Sequence, residues 1–432
     1  MRNDSNLFGR IDKITLILYY FLILFGWVNL YATVNAGSNL YNWNWSNEAG
    51  RQLIFIGLSN IVIFIFLLSD PRIYEFLAIP VYGIAIIFLI CVLFFGAEVG
   101  GSKSWLDIAS FRFQPSELAK LGTILIVAKL LSKRNVNLSV WKDRWIPFGA
   151  ILLPILLIGL QPDAGSAIVF LGLTFVLNRE GLPSYFIQLG IGSIILSIFA
   201  LAFKTNTVLI IILLFYIIAL FTQRIQNRVT LKDLIRHRIS FLMIIAIIWS
   251  RFVNFFFNEL LLPHHQVRIK LLLGQLEDTS AIGYQTTQSL IAIGSGGITG
   301  KGYMKGTQTK FNFVPEQATD YIFCTVGEEW GFLGSSIVLI CFSLLIGRII
   351  ILSNLQKNSF ARIFGFGLAS LLFMHFAINI GMTLGLMPVI GIPLPFFSYG
   401  GTSIMAFTAM LFIFLRMDSY RWETLRSGSS LS

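Results

Sequence analysis

YEFLAIPVYGIAIIFLICVLFF, residues 74–95, is apolar from end to end and carries one charge, Glu75, near its start. As an α-helix rising about 1.5 Å per residue it is long enough to cross the roughly 30 Å hydrocarbon core of a bilayer. Runs of the same kind recur outward from it, near 14–34, 53–69, 116–132, 146–160, 165–178, 186–203, 207–222, 240–257, 320–350, 361–381 and 401–416. About twelve spans are therefore expected, and the fold class is an all-α, polytopic helical membrane protein. The composition agrees: 56% of the 432 residues are hydrophobic, 12% are charged, and 40 are Phe. A soluble domain needs more charge than that to cover its surface. The first run follows Arg2, Arg10 and Lys13. A signal peptide, with Val34-Asn35-Ala36 as a weak cleavage site, is the alternative. The run is too long for a signal h-region and further spans follow, so an anchored first helix is expected.

The formal net charge of +11 would suggest nucleic acid on a soluble protein. Here the basic residues sit in short loops between apolar runs, so they read as orientation signals, and the expected partners are membrane lipids, not nucleic acid. Lys133, Arg134, Lys142 and Arg144 share one loop; Arg224, Arg228, Lys232, Arg236 and Arg238 share another; Arg348, Lys357 and Arg362 mark a third. With the tail's Arg416, Arg421 and Arg426, all fall on one side if both termini are cytoplasmic. Three unusual loops face the other side: 97–115, 382–400 and the longest, 258–319. The last is rich in Gly and polar residues and reads as a folded functional loop. The chain reads as one transmembrane domain over 1–432. No internal repeat is visible, which disfavours transporter folds built on inverted repeats.

Ionisable groups among apolar runs are costly and each needs a reason. Glu117 and Lys120 open the fourth span at i, i+3, on one helix face, with Pro115 in the first turn. They are either an interfacial pair that orients the helix or a polar floor for an anionic headgroup. Asp163, in QPDAGS (161–166), is placed to cap the next helix, with a site role as the alternative. The long loop carries Arg268, Glu277-Asp278, Gln288, GSGG (294–297), GKG (300–302), Gln308 and Pro315 to Asp320, including Glu316 and Thr319. Acidic side chains, amides and glycines that permit close backbone approach are the parts that hold a sugar-phosphate. A single loop aspartate such as Asp278 is, on its own, usually just solvated. Cys91, Cys324 and Cys341 match no metal-site spacing. His264 and His265 are adjacent, which points their rings apart on a regular element. His375 reads as a packing histidine.

Taken in order, four blocks resemble the RodA/FtsW/SpoVE family of polymerases: FQPSE-AK at 113–120, QPDAGSA at 161–167, the stretch 266–334 with GYQ, QS-IAIGSGG, GKG, GTQ, PE-TD and GEE-G, and NIGMTLGLMPVIGIPLPFFSYGGTS at 379–403. GTQ after the GKG glycines resembles the RodA branch, which serves cell elongation. The resemblance implies a peptidoglycan glycosyltransferase at the outer face of the bacterial plasma (inner) membrane. Its substrate would be lipid II, its partners a class B penicillin-binding protein and other cell-elongation proteins. The family's catalytic aspartate, shortly before GYQ, falls on Asp278. A carboxylate there would take the acceptor proton as C1 is attacked with inversion. Lys103, Arg112, Lys120 and Arg268 are the candidate cations for the departing pyrophosphate. Gln114, Glu117, Asp163, Glu316, Thr319, Asp320 and Ser398 would line or brace the cavity, and Glu328 and Glu329 would pair structurally. No cofactor is fixed by the sequence; a divalent cation, Mg or Mn, bridging phosphates is the one candidate. Three departures stand out. Ser104 replaces the family's common Arg, with Lys103 as a substitute that lacks the guanidinium fork. Ala318 replaces a His, and a hairpin near 186–222 is additional. The rival readings are a lipid-precursor flippase or transporter, and a non-catalytic scaffold of a wall-synthesis complex.

Overall fold

The computed structural model describes residues 10–35, 45–99, 102–108, 111–133, 136–227, 238–261, 263–275, 281–311 and 313–429. The chain forms two compact units, 1–182 with 285–432, and 183–284.

In the first unit, helices α1 (Lys13–Asn35), α2 (Glu48–Leu68) and α3 (Arg72–Phe95) lead into strands β1 (Ala97–Val99), β2 (Ser102–Ile108) and β3 (Phe111–Phe113). Then come α4 (Pro115–Leu131), α5 (Trp141–Gly159) and the short α6 (Ala164–Phe170) and α7 (Leu173–Arg179). Local signals start these helices. Asn47 accepts from the Gly50 amide at 2.9 Å to cap α2, and Asp163 accepts from the Ser166 amide at 3.0 Å to cap α6. Pro115 occupies the first turn of α4, where its missing N–H costs nothing. The loop at 97–115 is an antiparallel three-stranded sheet, with Glu98 opposite Lys103 and Asp107 opposite Arg112.

Helices α4, α15 (Ser359–Thr383) and α16 (Gly401–Ser429) form the buried centre, while α2 and α3 leave most of their apolar surface outward. That division follows the rule that a helix apolar all round is either buried or faces lipid. Gly26 of α1 sits where a Cβ would lie 2.6 Å from the Phe397 carbonyl oxygen, so only glycine lets the 388–400 loop approach.

The run expected as one span at 320–350 is broken. α14 (Ile322–Asn354) contains Gly331 at φ 65°, ψ −157°. The 296–302 turn inserts its backbone at this break. Carbonyls of Gly297 and Ile298 accept from the Phe332 and Leu333 amides at 2.9 and 3.1 Å, and the Glu328 and Glu329 carbonyls accept from Lys301 and Gly302, both at 3.0 Å. Every broken helix leaves orphan groups at both new ends, and in an apolar setting these must find partners. Here the glycine-rich turn supplies them, so these glycines serve the helix break.

The remaining pieces are α8 (Tyr185–Ala202), α9 (Thr205–Asn227), α10 (Arg238–Phe255) with a π-turn at Phe256–Leu260, and α11 (Pro263–Leu272), all in the second unit. α8 and α9 are the additional hairpin. Within this unit Trp249 Nε1 donates to Ser197 Oγ at 3.0 Å and to the Ser193 carbonyl at 3.2 Å, which satisfies polar groups inside an apolar surface. The division between units falls within α12 (Ala281–Ser295), and α13 (Thr307–Lys310) completes the helices.

Helices occupy all twelve expected positions. Eight of the described helical segments are long and apolar enough by themselves to cross a membrane. At the other four positions the helices are shorter, more polar or, at 164–179, broken in two.

Candidate active site

Among the described residues the polar ends of three sequence blocks converge in the first unit, and Lys120 is their deepest charge. Its ammonium donates to Glu117 Oε1 at 2.7 Å and to His375 Nε2 at 2.9 Å, and lies 5.3 Å from the centre of the Phe407 ring. The side chains of Lys120 and Glu117 are 1% and 3% exposed, so this pair is fully removed from solvent. Glu117 Oε2 is buried and accepts no hydrogen bond among the described residues. His375 in turn contacts the Pro393 carbonyl through Nδ1 at 3.1 Å. The histidine read from sequence as packing is thus a bridge between α4 and the 388–400 loop.

Around this pair, Gln114 Nε2 donates to Asp163 Oδ2 at 3.4 Å and Ser116 Oγ reaches Ser166 Oγ at the same distance, so the N-termini of α4 and α6 meet. Asn379 Nδ2 donates to the Asp320 carbonyl at 2.9 Å and to that of Ile392 at 2.7 Å. Ser398 is buried, and its Oγ accepts from the Leu394 amide at 2.9 Å. Gln52 clamps the same loop, donating to the Ser398 carbonyl and accepting from the Gly400 amide, both at 3.3 Å. Arg51 approaches the Tyr399 hydroxyl without ordinary hydrogen-bond geometry, and Arg112 lies within electrostatic reach of it. Burial raises the Tyr399 phenol, against the lowering effect of Arg51. Neither Arg51 nor Gln52 is signalled by sequence, because the residues they touch lie more than three hundred positions away.

Other expected site residues have their own surroundings. Arg112 pairs with Asp107 across β2 and β3 at 3.4 Å, with both side chains more than half exposed. Lys103 is exposed and Ser104 is buried, on opposite faces of β2, so Lys103 does not fill the Ser104 position. Ala318 contributes its backbone, accepting from the Tyr399 amide at 3.0 Å. Glu316 is exposed at φ 54°, and Thr319 Oγ1 donates to its carboxylate at 3.1 Å. Gln288 is half-buried on α12, and Arg268 lies on α11 of the second unit. Asp278 lies outside the described residues.

Glu328 is a structural knot. It pairs with Lys301 Nζ at 2.8 Å and accepts from the Gln308 and Thr309 amides at 2.9 Å each and from Thr309 Oγ1 at 2.7 Å. This closes the N-terminus of α13, as an anion at a helix start should. Gln308 is therefore held through its backbone. Neighbouring Glu329 is buried, and the Met304 and Gly306 amides approach it without ordinary hydrogen-bond geometry. Burial, together with the Glu329 charge, pushes the Tyr303 phenol up to about 12, so it stays a donor, here to the Val28 carbonyl at 3.2 Å.

The chain is similar to several known proteins. The chain is 33% identical over 372 residues to the peptidoglycan glycosyltransferase MrdB of Escherichia coli (strain K12), covering 86% of this chain and 85% of that one. It is 29% identical over 399 residues to the peptidoglycan glycosyltransferase RodA of Treponema pallidum, covering 85% and 88%. Stage V sporulation protein E of Bacillus subtilis is 30% identical over 375 residues, covering 86% and 87%. Among solved structures, a chain from a study of polymerization and crosslinking by a peptidoglycan synthase complex superimposes with TM-score 0.68 at 27% identity, covering 95% of this chain and 98% of that one. The Rod shape determining protein RodA of Thermus thermophilus does so with TM-score 0.59 at 25% identity, with the same coverage. The cell cycle protein family model of FtsW, RodA and SpoVE matches residues 12–227 and 179–423, and the chain belongs to that family.

Proposed function

We propose that this protein is a peptidoglycan glycosyltransferase that joins lipid II units into glycan strands at the outer face of the bacterial plasma membrane, serving cell elongation. The observation that carries the reading is that the block at 113–120 meets the one at 161–167 through Gln114 and Asp163 and is linked to the one at 379–403 through Lys120, His375 and the Pro393 carbonyl, in a chain 33% identical to a peptidoglycan glycosyltransferase.

The chemistry needs a base at the acceptor and positive charge at the leaving group. Asp278 takes the proton of the acceptor sugar hydroxyl as its oxygen attacks C1 of the donor. The new O–C1 bond forms as the bond from C1 to the pyrophosphate oxygen breaks, with inversion at C1. The lipid pyrophosphate leaves with the electron pair, and Lys103, Arg112, Lys120 and Arg268 are the candidates among which the cation that offsets its charge is to be sought. A divalent cation, Mg or Mn, would add positive charge for the departing pyrophosphate; among the described residues no three His, Cys, Asp or Glu side chains come together to hold one. A class B penicillin-binding protein crosslinks the strand, other cell-elongation proteins complete the assembly, and both termini face the cytoplasm.

The test is purified protein, with its transpeptidase partner, given labelled lipid II. Wild type should make polymer that moenomycin does not suppress, and Asp278→Ala should make none. Full synthesis by Asp278→Ala would remove the enzymatic assignment. Transport of lipid II across the bilayer without polymer would favour the flippase reading, and neither activity would favour the scaffold.

A further inference from the structure

His375 is a buried titratable group that the proposed chemistry leaves unused, yet it touches both the Glu117–Lys120 pair and the 388–400 loop. Its protonation pattern can be read from its neighbours. Nδ1 faces the Pro393 carbonyl at 3.1 Å, which can only accept, so Nδ1 carries the hydrogen. Nε2 faces the Lys120 ammonium at 2.9 Å, which can only donate, and Lys120 also donates to Glu117 Oε1 at 2.7 Å. A hydrogen on Nε2 would set two donors against each other, so Nε2 is bare and the ring is neutral. The imidazole is 1% exposed and its edge packs on Phe407, the ring over which the ammonium also lies, at centroid distances of 4.9 and 5.3 Å. The ring therefore cannot turn to another partner without leaving two polar contacts unmade.

The geometry points to His375 as a positioning residue. As the Nδ1–H tautomer, fixed by the Pro393 carbonyl, it receives one Lys120 hydrogen bond, aims the ammonium, and so links the register of the 388–400 loop to the Glu117–Lys120 pair. Two of the three ammonium hydrogens are committed, to Glu117 and to His375. The direction of the third, and of the open Glu117 Oε2, follows from where those two partners stand. A shift of the loop that carries Ser398 and Tyr399 would move the Pro393 carbonyl, turn the ring, and redirect the charge. The inference rests on the glycosyltransferase reading for its consequence but not for its geometry.

Three substitutions separate the two contacts. His375→Gln keeps an acceptor oxygen near the Nε2 position and should preserve the Lys120 contact. His375→Asn keeps a donor near Nδ1 and preserves only the loop contact. His375→Leu removes both at similar volume and leaves the Pro393 carbonyl and one Lys120 hydrogen buried without a partner, so it should also lower the melting temperature. Expected is lipid II polymerisation within about threefold of wild type for Gln, and losses of roughly 10- to 100-fold for Asn and Leu, the range that misplacement of a site group produces, with Gln and Asn, which each lose one contact, melting close to one another and Leu below both. Leu at the wild-type rate would overturn the inference. So would Gln falling with Asn and Leu in step with thermal stability, because that pattern is structural support alone. Solid-state nitrogen NMR of histidine-labelled protein, with His375→Gln identifying the missing signals, reads the tautomer without any activity. Protonated Nδ1 beside bare Nε2 supports the assignment, and a doubly protonated or Nε2–H ring overturns it. If wild type makes no polymer, the glycosyltransferase reading fails, and the NMR result still decides the tautomer.

Discussion

At the scale of residues, the buried Glu117–Lys120 pair decides how substitutions at the site should be read. Removing one partner of a buried pair leaves the other charge uncompensated and costs about 3–5 kcal/mol, while replacing both with neutral groups is often close to neutral. Glu117→Ala should therefore lower the melting temperature of the detergent-solubilised protein as well as activity. Glu117→Gln combined with Lys120→Met should regain most of the stability and none of the activity. A double variant as unstable as the single one would show that the pair does not carry the energetic coupling assigned to it. Asp12 gives a second prediction, outside the membrane spans. Burial pushes its carboxyl up, but hydrogen bonds from Arg348, at 2.6 Å to Arg348 Nη2, and from Thr15, with the Arg348 charge, outweigh it and hold the group below its usual value of 3.8. A carboxyl depressed by folding stabilises the fold above its unfolded pKa and loses that contribution as pH falls through the folded value. The stability advantage of wild type over Asp12→Asn should be complete above 3.8 and vanish below it in an acid melting series. An advantage unchanged at lower pH would contradict the pair's role. What sequence reveals at this scale is local. The Asp163 cap and the i, i+3 pair are legible because each partner lies within a turn. The link from His375 to Lys120 spans 255 positions and is not, nor are Arg51 and Gln52, whose partners are placed only by the fold.

At the scale of elements, apolar runs identify where helices lie but not whether their backbones are continuous. Hydropathy averaged over 320–350 hides the break at Gly331, because only Glu328 and Glu329 just before it depart from the apolar pattern, and a helix interrupted by an inserted turn keeps its side-chain pattern. The three strands at 97–113 are missed for a related reason. They are short, and their alternation is indistinguishable from a polar loop. The glycines at 296–302, read as a cradle for substrate, are spent on the helix break. That assignment can be tested at Gly331 itself. Its φ of 65° and ψ of −157° fall in a region open almost only to glycine, where another residue stores of order 1–3 kcal/mol of strain. A Cβ there would lie 2.3 Å from the Gly300 nitrogen, which is backbone and cannot step aside. Gly331→Ala should lower thermal stability by at least that strain. Gly347→Ala on the same helix, where a Cβ meets nothing within 4 Å, should be neutral or slightly stabilising. Equal melting temperatures for the two variants would mean that the turn does not grip the helix as described.

At the scale of the whole molecule, the sequence supplies orientation and the structure supplies pairing of helix ends, and the two can be tested together. Within the first unit, the start of α1 and the latter half of α14 meet through Asp12 and Arg348, and the end of α2 meets α16 through Ser69 and Arg416. Arg362 of α15 pairs with Glu180 just after α7. The contacts of Gln52 with the 398–400 backbone, and of Gln161 with the Leu89 carbonyl, gather the opposite ends. Alternate helix ends thus share a side, which is the pattern of successive crossings. Basic residues in short loops, Lys142, Arg348, Lys357 and Arg362 among them, are the signal on which the proposed orientation, with the first set of ends in the cytoplasm, rests. In a variant with Cys91, Cys324 and Cys341 replaced, single cysteines at four exposed positions test this: Lys103→Cys, Glu316→Cys, Lys142→Cys and Lys357→Cys. A membrane-impermeant maleimide applied to intact cells should label the first two, and should reach the other two only after permeabilisation. The reverse pattern would invert the orientation and put the Glu117 end of α4 on the cytoplasmic side, where extracytoplasmic strand synthesis could not use it. Labelling of Lys103→Cys and Glu316→Cys from different sides would do more damage. The β1–β3 sheet, which leads directly into α4, and the segment before α14, which Asn379 and the Tyr399 amide hold through the Asp320 and Ala318 carbonyls, would then lie across the bilayer from one another, and the contacts that join these ends could not form.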